Sequence, residues 1–214
     1  MIYKNWIDYW NQRGKSKESD LKKLSGYDHK LAKLSDKAHE ELIFSIIEKL
    51  KITMSDEVLD AGCGAGVITT PLSAYVGKII GVDAAPSMIQ YLPPRIEKCI
   101  AEANKLPFKN NSFDKVLCHS VFQYFPNLKY AEKAIIEMFR VCRRGGMIYI
   151  MDIPDEDKRE AYLRVKEPDR HNLKRLFYKR EFFRRIFPNC EIFNHELEGY
   201  LNAKYRFNVL IKKS

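Results

Sequence analysis

The stretch VLDAGCGAG, residues 58–66, packs three glycines into five positions directly behind a short apolar run. An apolar run bounded by glycine reads as a buried strand, and glycine allows the sharp strand-to-helix turn that follows. The rhythm then repeats. KIIGVD reads as a second strand, followed by a helix in PSMIQYL with Pro86 in its first turn. KCIAEA and FDKVLCHS read as third and fourth strands, and MIYIMDI, beyond a break at RRGG, as a fifth. Residues 66–75 form a short helix in this reading, and residues 128–142 a longer one with Leu128, Ala131, Ile135, Met138, Phe139 and Cys142 on one side. Strands alternating with helices predict an α/β fold, a doubly wound parallel sheet covered on both faces.

Upstream, Leu31, Leu34, Ala38, Leu42, Ile46 and Leu50 recur at helical spacing and predict an amphipathic helix over residues 30–50. After residue 152 the rhythm changes. A charged helical stretch leads to YKREFFRRIF, closed by Pro188, where Phe182, Phe183, Ile186 and Phe187 share a buried face and Arg184 and Arg185 stay outside. CEIFNHEL and YRFNVLIKK then read as an antiparallel pair at the sheet edge. The first ten residues hold Tyr3, Trp6, Tyr9 and Trp10, too apolar for a solvated tail. Trp6, Tyr9 and Trp10 would share one face of a helix. Residues 1–30 are therefore expected to form an aromatic lid or cap on a domain of residues 31–214, with 153–187 as an inserted helical region.

A length of 214 residues suits one domain with a sizeable core. The net charge of +9 is spread through mixed-sign segments rather than gathered in one arm, which favours an anionic small partner or plain solubility over nucleic acid. No apolar run is long enough to span a membrane, and the start lacks a secretory layout. Five scattered cysteines without a C-x-x-C pair suit reduced thiols, so a cytoplasmic location is expected. His29, His39, His171 and His195 show no metal-ligand spacing, and no metal is expected.

In an open parallel sheet, ligands sit beyond the carboxyl ends of the strands. The glycine turn lies there, and Asp83 ends the second strand, placed to accept hydrogen bonds from a ribose. The turn reads D-x-G-x-G-x-G rather than the G-x-G-x-x-G of dinucleotide sites. Asp60 would repel a pyrophosphate but suit a cation. S-adenosylmethionine has no phosphate and carries a sulfonium and an ammonium, so it fits. VLDAGCGAG, GVDAAPSMI, AEANKLPF, FDKVLCHSVFQYF and RRGGMIYIMDIP, in that order, resemble the successive motifs of class I S-adenosylmethionine-dependent methyltransferases, in particular the small-molecule "type 11" group.

The resemblance implies a Rossmann-like, seven-stranded mixed sheet of order 3-2-1-4-5-7-6 with strand 7 antiparallel. It implies that Gly62, Gly64 and Gly66, with Cys63 in the same loop, flank the methionine and ribose portion. Asp60 would bind the amino end, Asp83 the ribose hydroxyls, and Ala84 and Met88 the adenine pocket. Glu102 stands where the family usually has Asp facing the adenine amino group, and Ala103 would offer its N–H to the ring. His119 would lie near the methionine part, as a wall or as a general base acting near pH 6.5. The implied reaction is methyl transfer to a small or medium acceptor, leaving S-adenosylhomocysteine. An oxygen acceptor on a metabolite or sugar comes first, because the group that the chain resembles is rich in O-methylation, and the absence of an Asn/Asp-Pro-Pro-Tyr signature where CHSVFQYF stands lowers nucleic-acid base methylation. The alternatives are an RNA or protein methyltransferase and a non-catalytic cofactor-binding module. The sequence leaves the oligomeric state open.

Overall fold

A computed structural model describes residues 3–168 and 171–214. Residues 1–2 of the aromatic start and 169–170 of the charged stretch lie outside the described residues. The chain opens with helices α1 (Trp6–Gly14), α2 (Leu21–Leu24) and α3 (Asp36–Leu50). Strand β1 (Glu57–Ala61), helix α4 (Thr69–Leu72), strand β2 (Lys78–Asp83), helix α5 (Pro86–Ile89) and strands β3 (Glu97–Ile100) and β4 (Phe113–His119) follow. Helix α6 (Leu128–Val141), strand β5 (Cys142–Pro154), helices α7 (Arg159–Val165) and α8 (Arg180–Ile186), and strands β6 (Glu191–Asn194) and β7 (Arg206–Lys212) complete it. The strands form one seven-stranded sheet of order β3-β2-β1-β4-β5-β7-β6. β7 runs antiparallel to both β5 and β6, and the other pairings are parallel. The expected order and polarity are those observed.

Strand periodicity sends alternate side chains to opposite faces, and each face has its own helices. Leu59, Ala61, Val116, Cys118, Ile148 and Ile150 pack with α6 and with Phe182 and Phe183 of α8. Val58, Ile79, Leu117, Tyr149 and Leu210 pack with Leu42, Ile43, Ile46 and Leu50 of α3. Arg184 and Arg185 stay exposed, so the aromatic run of α8 is core and not a basic surface.

Four local details differ from expectation. α3 starts at Asp36 because Ser35 caps it, its side chain accepting from the Ala38 N–H at 3.1 Å. Leu34 lies ahead of the helix yet is buried. α4 is a single turn, shorter than the predicted 66–75. RRGG does not break the chain: β5 runs through it as an irregularity in its pairing with β4, with Gly145 at φ +79° donating to the Lys213 carbonyl at 2.6 Å. Leu128 of α6 is exposed rather than on the buried side. No helix among the described residues is long and apolar enough to cross a membrane.

Candidate active site

The glycine turn after β1 is strapped to the end of β2. The Val82 carbonyl accepts the N–H groups of Gly62 (2.7 Å) and Cys63 (3.0 Å), and Asp83 accepts the N–H groups of Gly64 and Ala85, both at 2.8 Å. Gly62, Gly64 and Gly66 all have positive φ, the conformation glycine tolerates best. At Gly62 a Cβ would lie 2.3 Å from Val121 Cγ2, so the turn and the loop after β4 close on each other only because this position is glycine.

Beyond these strand ends lies a cavity of about 570 Å³. Asp60, Gly62, Cys63, Gly64, Asp83, Ala84, Met88, Glu102, Ala103 and His119 all line it, so the turns bring nearly every expected site residue together. Gly66 is the exception. Its backbone is pressed against Leu92, where a Cβ would meet Cδ2 at 2.5 Å, which makes it a packing glycine of the turn. Cavities of 300–1,000 Å³ suit nucleoside-sized ligands, and the lining is apolar with a few fixed acids. The groups present fit S-adenosylmethionine.

Asp60 is buried and accepts from the Thr69 hydroxyl at 2.6 Å. Burial, with Asp83 nearby, pushes its carboxyl up to about 7. Glu102 accepts from the Tyr130 hydroxyl at 3.0 Å, a partner that accommodates its extra methylene relative to Asp. His119 is buried, with Nδ1 3.4 Å from the Tyr27 hydroxyl and Nε2 without a hydrogen-bond partner. Burial holds its imidazole down at about 4, against an attraction to Asp152 that works the other way. The expected pH dependence near 6.5 is corrected accordingly: this histidine is neutral well below that pH.

The aromatic start covers the cavity. Trp6 and Trp10 of α1 line it, and α1 is latched to α5 by Ser87 Oγ donating to the Asn11 carbonyl at 2.7 Å and by Tyr91 OH donating to the Gly14 carbonyl at 2.9 Å. Trp6 Nε1 donates to the Lys174 carbonyl at 3.0 Å, joining the 171–178 segment. A second, polar chamber of about 50 Å³ adjoins the first, and Trp6, Trp10, Ser25, Tyr27, Ser120 and Tyr124 line both. Tyr27, Ser120, Tyr124, Tyr130 and Asn202 lie outside the glycine and acid pattern, and although Ser120 and Tyr124 fall in the quoted segment FDKVLCHSVFQYF, nothing in the sequence singled these five out as site residues. The aromatic spacing of residues 6–10 was the one clue to this side of the site.

Strand order, glycine turn and the acid closing β2 define a class I, S-adenosylmethionine-dependent methyltransferase fold. Residues 59–150 match the family model described as a methyltransferase domain. The chain is 28% identical over 141 residues to the sterol 4-C-methyltransferase strm-1 of Caenorhabditis elegans, covering 59% of this chain and 41% of that one. It is 31% identical over 140 residues to the erythromycin 3''-O-methyltransferase of Saccharopolyspora erythraea, covering 58% and 44%. The chain thus spans less than half the length of these relatives. The phosphoethanolamine N-methyltransferase 1 of Haemonchus contortus, solved with phosphoethanolamine and S-adenosylhomocysteine, superposes with a TM-score of 0.73 at 13% identity, over 94% of this chain and 47% of that one. That likeness is one of fold.

The raised carboxyl of Asp60 has a consequence for stability. In the folded protein it keeps its proton up to about pH 7, whereas unfolded aspartate ionises near 3.9. The folded state therefore binds the extra proton, and this group's contribution falls as pH rises from about 4 to about 7. Asp60→Asn removes the charge, so it is expected to raise the melting temperature at pH 8, with a gain that shrinks towards pH 4. A gain that is flat with pH in calorimetric scans would show that Asp60 is not held protonated.

Proposed function

We propose that the protein transfers a methyl group from S-adenosylmethionine to an oxygen of a small acceptor, a metabolite or sugar, in the cytoplasm. The observation that supports this reading is the shared wall between the cofactor-sized cavity and the polar chamber, which would offer an acceptor a space next to the cofactor cleft. The relative named as an O-methyltransferase supports oxygen as the acceptor atom. Five free cysteines, three of them buried, support a reducing location.

When bound, the cofactor supplies a methyl group already activated on its sulfonium. In this reading Asp83 accepts from the ribose hydroxyls while its carboxylate stays anchored by two backbone N–H groups. Asp60 faces the ammonium, Gly62, Cys63 and Gly64 leave room for the methionine and ribose portion, and Ala84 and Met88 wall the adenine. Glu102 and the Ala103 N–H meet the adenine edge. The acceptor hydroxyl must lose a proton as the new O–C bond forms. Tyr27, whose hydroxyl burial holds well above its ordinary pKa, stays neutral and hands a proton to His119 Nδ1 as it takes one from the acceptor. Burial, which holds the His119 imidazole down at about 4, leaves it neutral and a weak base at pH 7, so it takes the proton only as methyl transfer makes the acceptor oxygen strongly acidic.

Asp83→Ala is expected to weaken S-adenosylhomocysteine binding by about 1.5–3 kcal/mol, the scale for a hydrogen bond to a charged group. Wild-type affinity in a folded variant, by calorimetry, would remove Asp83 from the cofactor's contacts. For His119, turnover should lose its acid limb near pH 4 rather than near 6.5. His119→Ala should lower turnover by about 10²–10⁴ with cofactor affinity nearly intact. A variant keeping a tenth of the rate leaves His119 as a wall of the pocket.

Residues 1–30 act as a lid in the same reading, since α1 roofs the cavity on a few polar latches. Proteolysis within the exposed run Lys15–Lys17 is expected to slow when S-adenosylhomocysteine is added and to speed up in Ser87→Ala, which removes a latch donor. Cleavage indifferent to ligand would make the segment a fixed part of the domain.

A further inference from the structure

The polar chamber has a floor whose hydrogen bonds all run in one direction. At its base is Asp152, fully buried at the end of β5 with φ +56°. Burial acts to raise its carboxyl, but Arg206, His195, His119 and Ser120 outweigh that and hold it below the ordinary range, so it is ionised. An ionised carboxylate can only accept. Ser120 Oγ donates to Asp152 Oδ2 at 2.7 Å, and Tyr200 OH donates to the same oxygen at 3.1 Å.

With its proton spent on Asp152, the Tyr200 oxygen can only accept in turn. It does so from Asn202 Nδ2 at 3.4 Å. This fixes which way the Asn202 amide faces. Asn202 is itself buried and lines the chamber, and its Oδ1 has no hydrogen-bond partner. Ser120 likewise receives a hydrogen bond, from Gln123 Nε2 at 2.9 Å, and so has no proton to offer the chamber. Leaving a buried carbonyl oxygen without a donor is unfavourable until one arrives.

We infer that Asn202 reads the acceptor: its Oδ1 takes a hydrogen bond from a second hydroxyl beside the one that is methylated, so the substrate class is a molecule with neighbouring hydroxyls. The inference rests on the methyl-transfer reading and deepens it. A hydroxyl fits better than an ammonium. Asp152 is matched by Arg206 at 3.7 Å, and the chamber wall adds Lys166 and Arg175 against Glu167, so the field around the chamber does not favour a cation.

The test measures S-adenosylhomocysteine release from a set of paired acceptors: catechol with phenol, 1,2-cyclohexanediol with cyclohexanol, and glycerol with 1,3-propanediol. Histamine and phenethylamine are included as amines. The wild type is expected to prefer the vicinal member of a pair by at least about tenfold in kcat/KM. Asn202→Leu should erase that preference, and so should Tyr200→Phe, a milder change that frees the Asn202 amide to turn. Both variants should keep wild-type affinity for S-adenosylhomocysteine by calorimetry, a readout a general loss of structure would move. Equal use of both members by the wild type, an undiminished preference in a folded Tyr200→Phe, turnover of amines alone, or no turnover of any hydroxylated compound each overturns the inference. Failure of the underlying reading looks different: the wild type then shows no affinity for S-adenosylhomocysteine at all.

Discussion

The carboxylate of Asp83 is the tie on which the site depends. It draws the N–H of Gly64, from the turn after β1, and the N–H of Ala85, ahead of α5, onto one half-buried side chain. Burial raises its pKa, so the anion is expensive here, and the two charge-assisted hydrogen bonds offset that expense. Together with the Val82 carbonyl, which accepts from Gly62 and Cys63, Asp83 directs the glycine turn along β2, because glycine itself supplies freedom and no direction. Once the turn is held there, Gly62 can meet Val121 after β4, and the ends of neighbouring strands become one wall. Two of the anion's lone pairs are used by the backbone, and the rest stay available to a ligand's hydroxyls.

The sheet was legible because its signals are local. Each strand is a short apolar run bounded by a turn residue, and each helix shows its own period, so the order of elements could be read directly. Boundaries slipped where a single side chain decided them, as Ser35 does for α3. RRGG misled for a related reason: two glycines usually end an element, but here a neighbouring strand accepts the N–H of Gly145 and keeps the strand going. The cofactor side of the site was legible as well, since its residues follow strand ends at fixed offsets. The acceptor side was not. Tyr27, Ser120, Asp152, Tyr200 and Asn202 come from separate turns and strand ends, and none shows a period or spacing that marks it as polar floor rather than solvated loop.

Charges buried beneath that floor are the least expected feature of the fold. Asp152 and Arg206 are nearly inaccessible and lie 3.7 Å apart, with His195 held by Asn208 at 3.0 Å beside them. Replacing such a group with packed apolar residues is often neutral or stabilising. Asp152 adds backbone strain, a positive φ in a residue other than glycine. Its N–H is nonetheless satisfied by Asn208 Oδ1 at 3.0 Å, which ties the strained residue to β7. Strain and buried charge at one position, directly under the chamber, are what a functional site looks like when stability has been given up for orientation.

The roof is built on the opposite principle. α1 meets the domain through an aromatic cluster, in which Trp6 and Trp10 lie 4.7 and 5.2 Å from Tyr124, and through a handful of hydrogen bonds to α5 and to residue 174. The small apolar cluster beneath it gathers Leu24, Ala65, Ala85 and Met88, far fewer side chains than either face of the sheet. An element held by so few contacts opens at a small fraction of the cost of global unfolding. Trp6 and Trp10 wall both the cavity and the chamber, so any movement of α1 would reshape the two together. The charged network beneath the chamber is tied into β5 and β7, whereas α1 is tied by side-chain contacts to α5 and to loops, so the two sides of the site differ in how they are held.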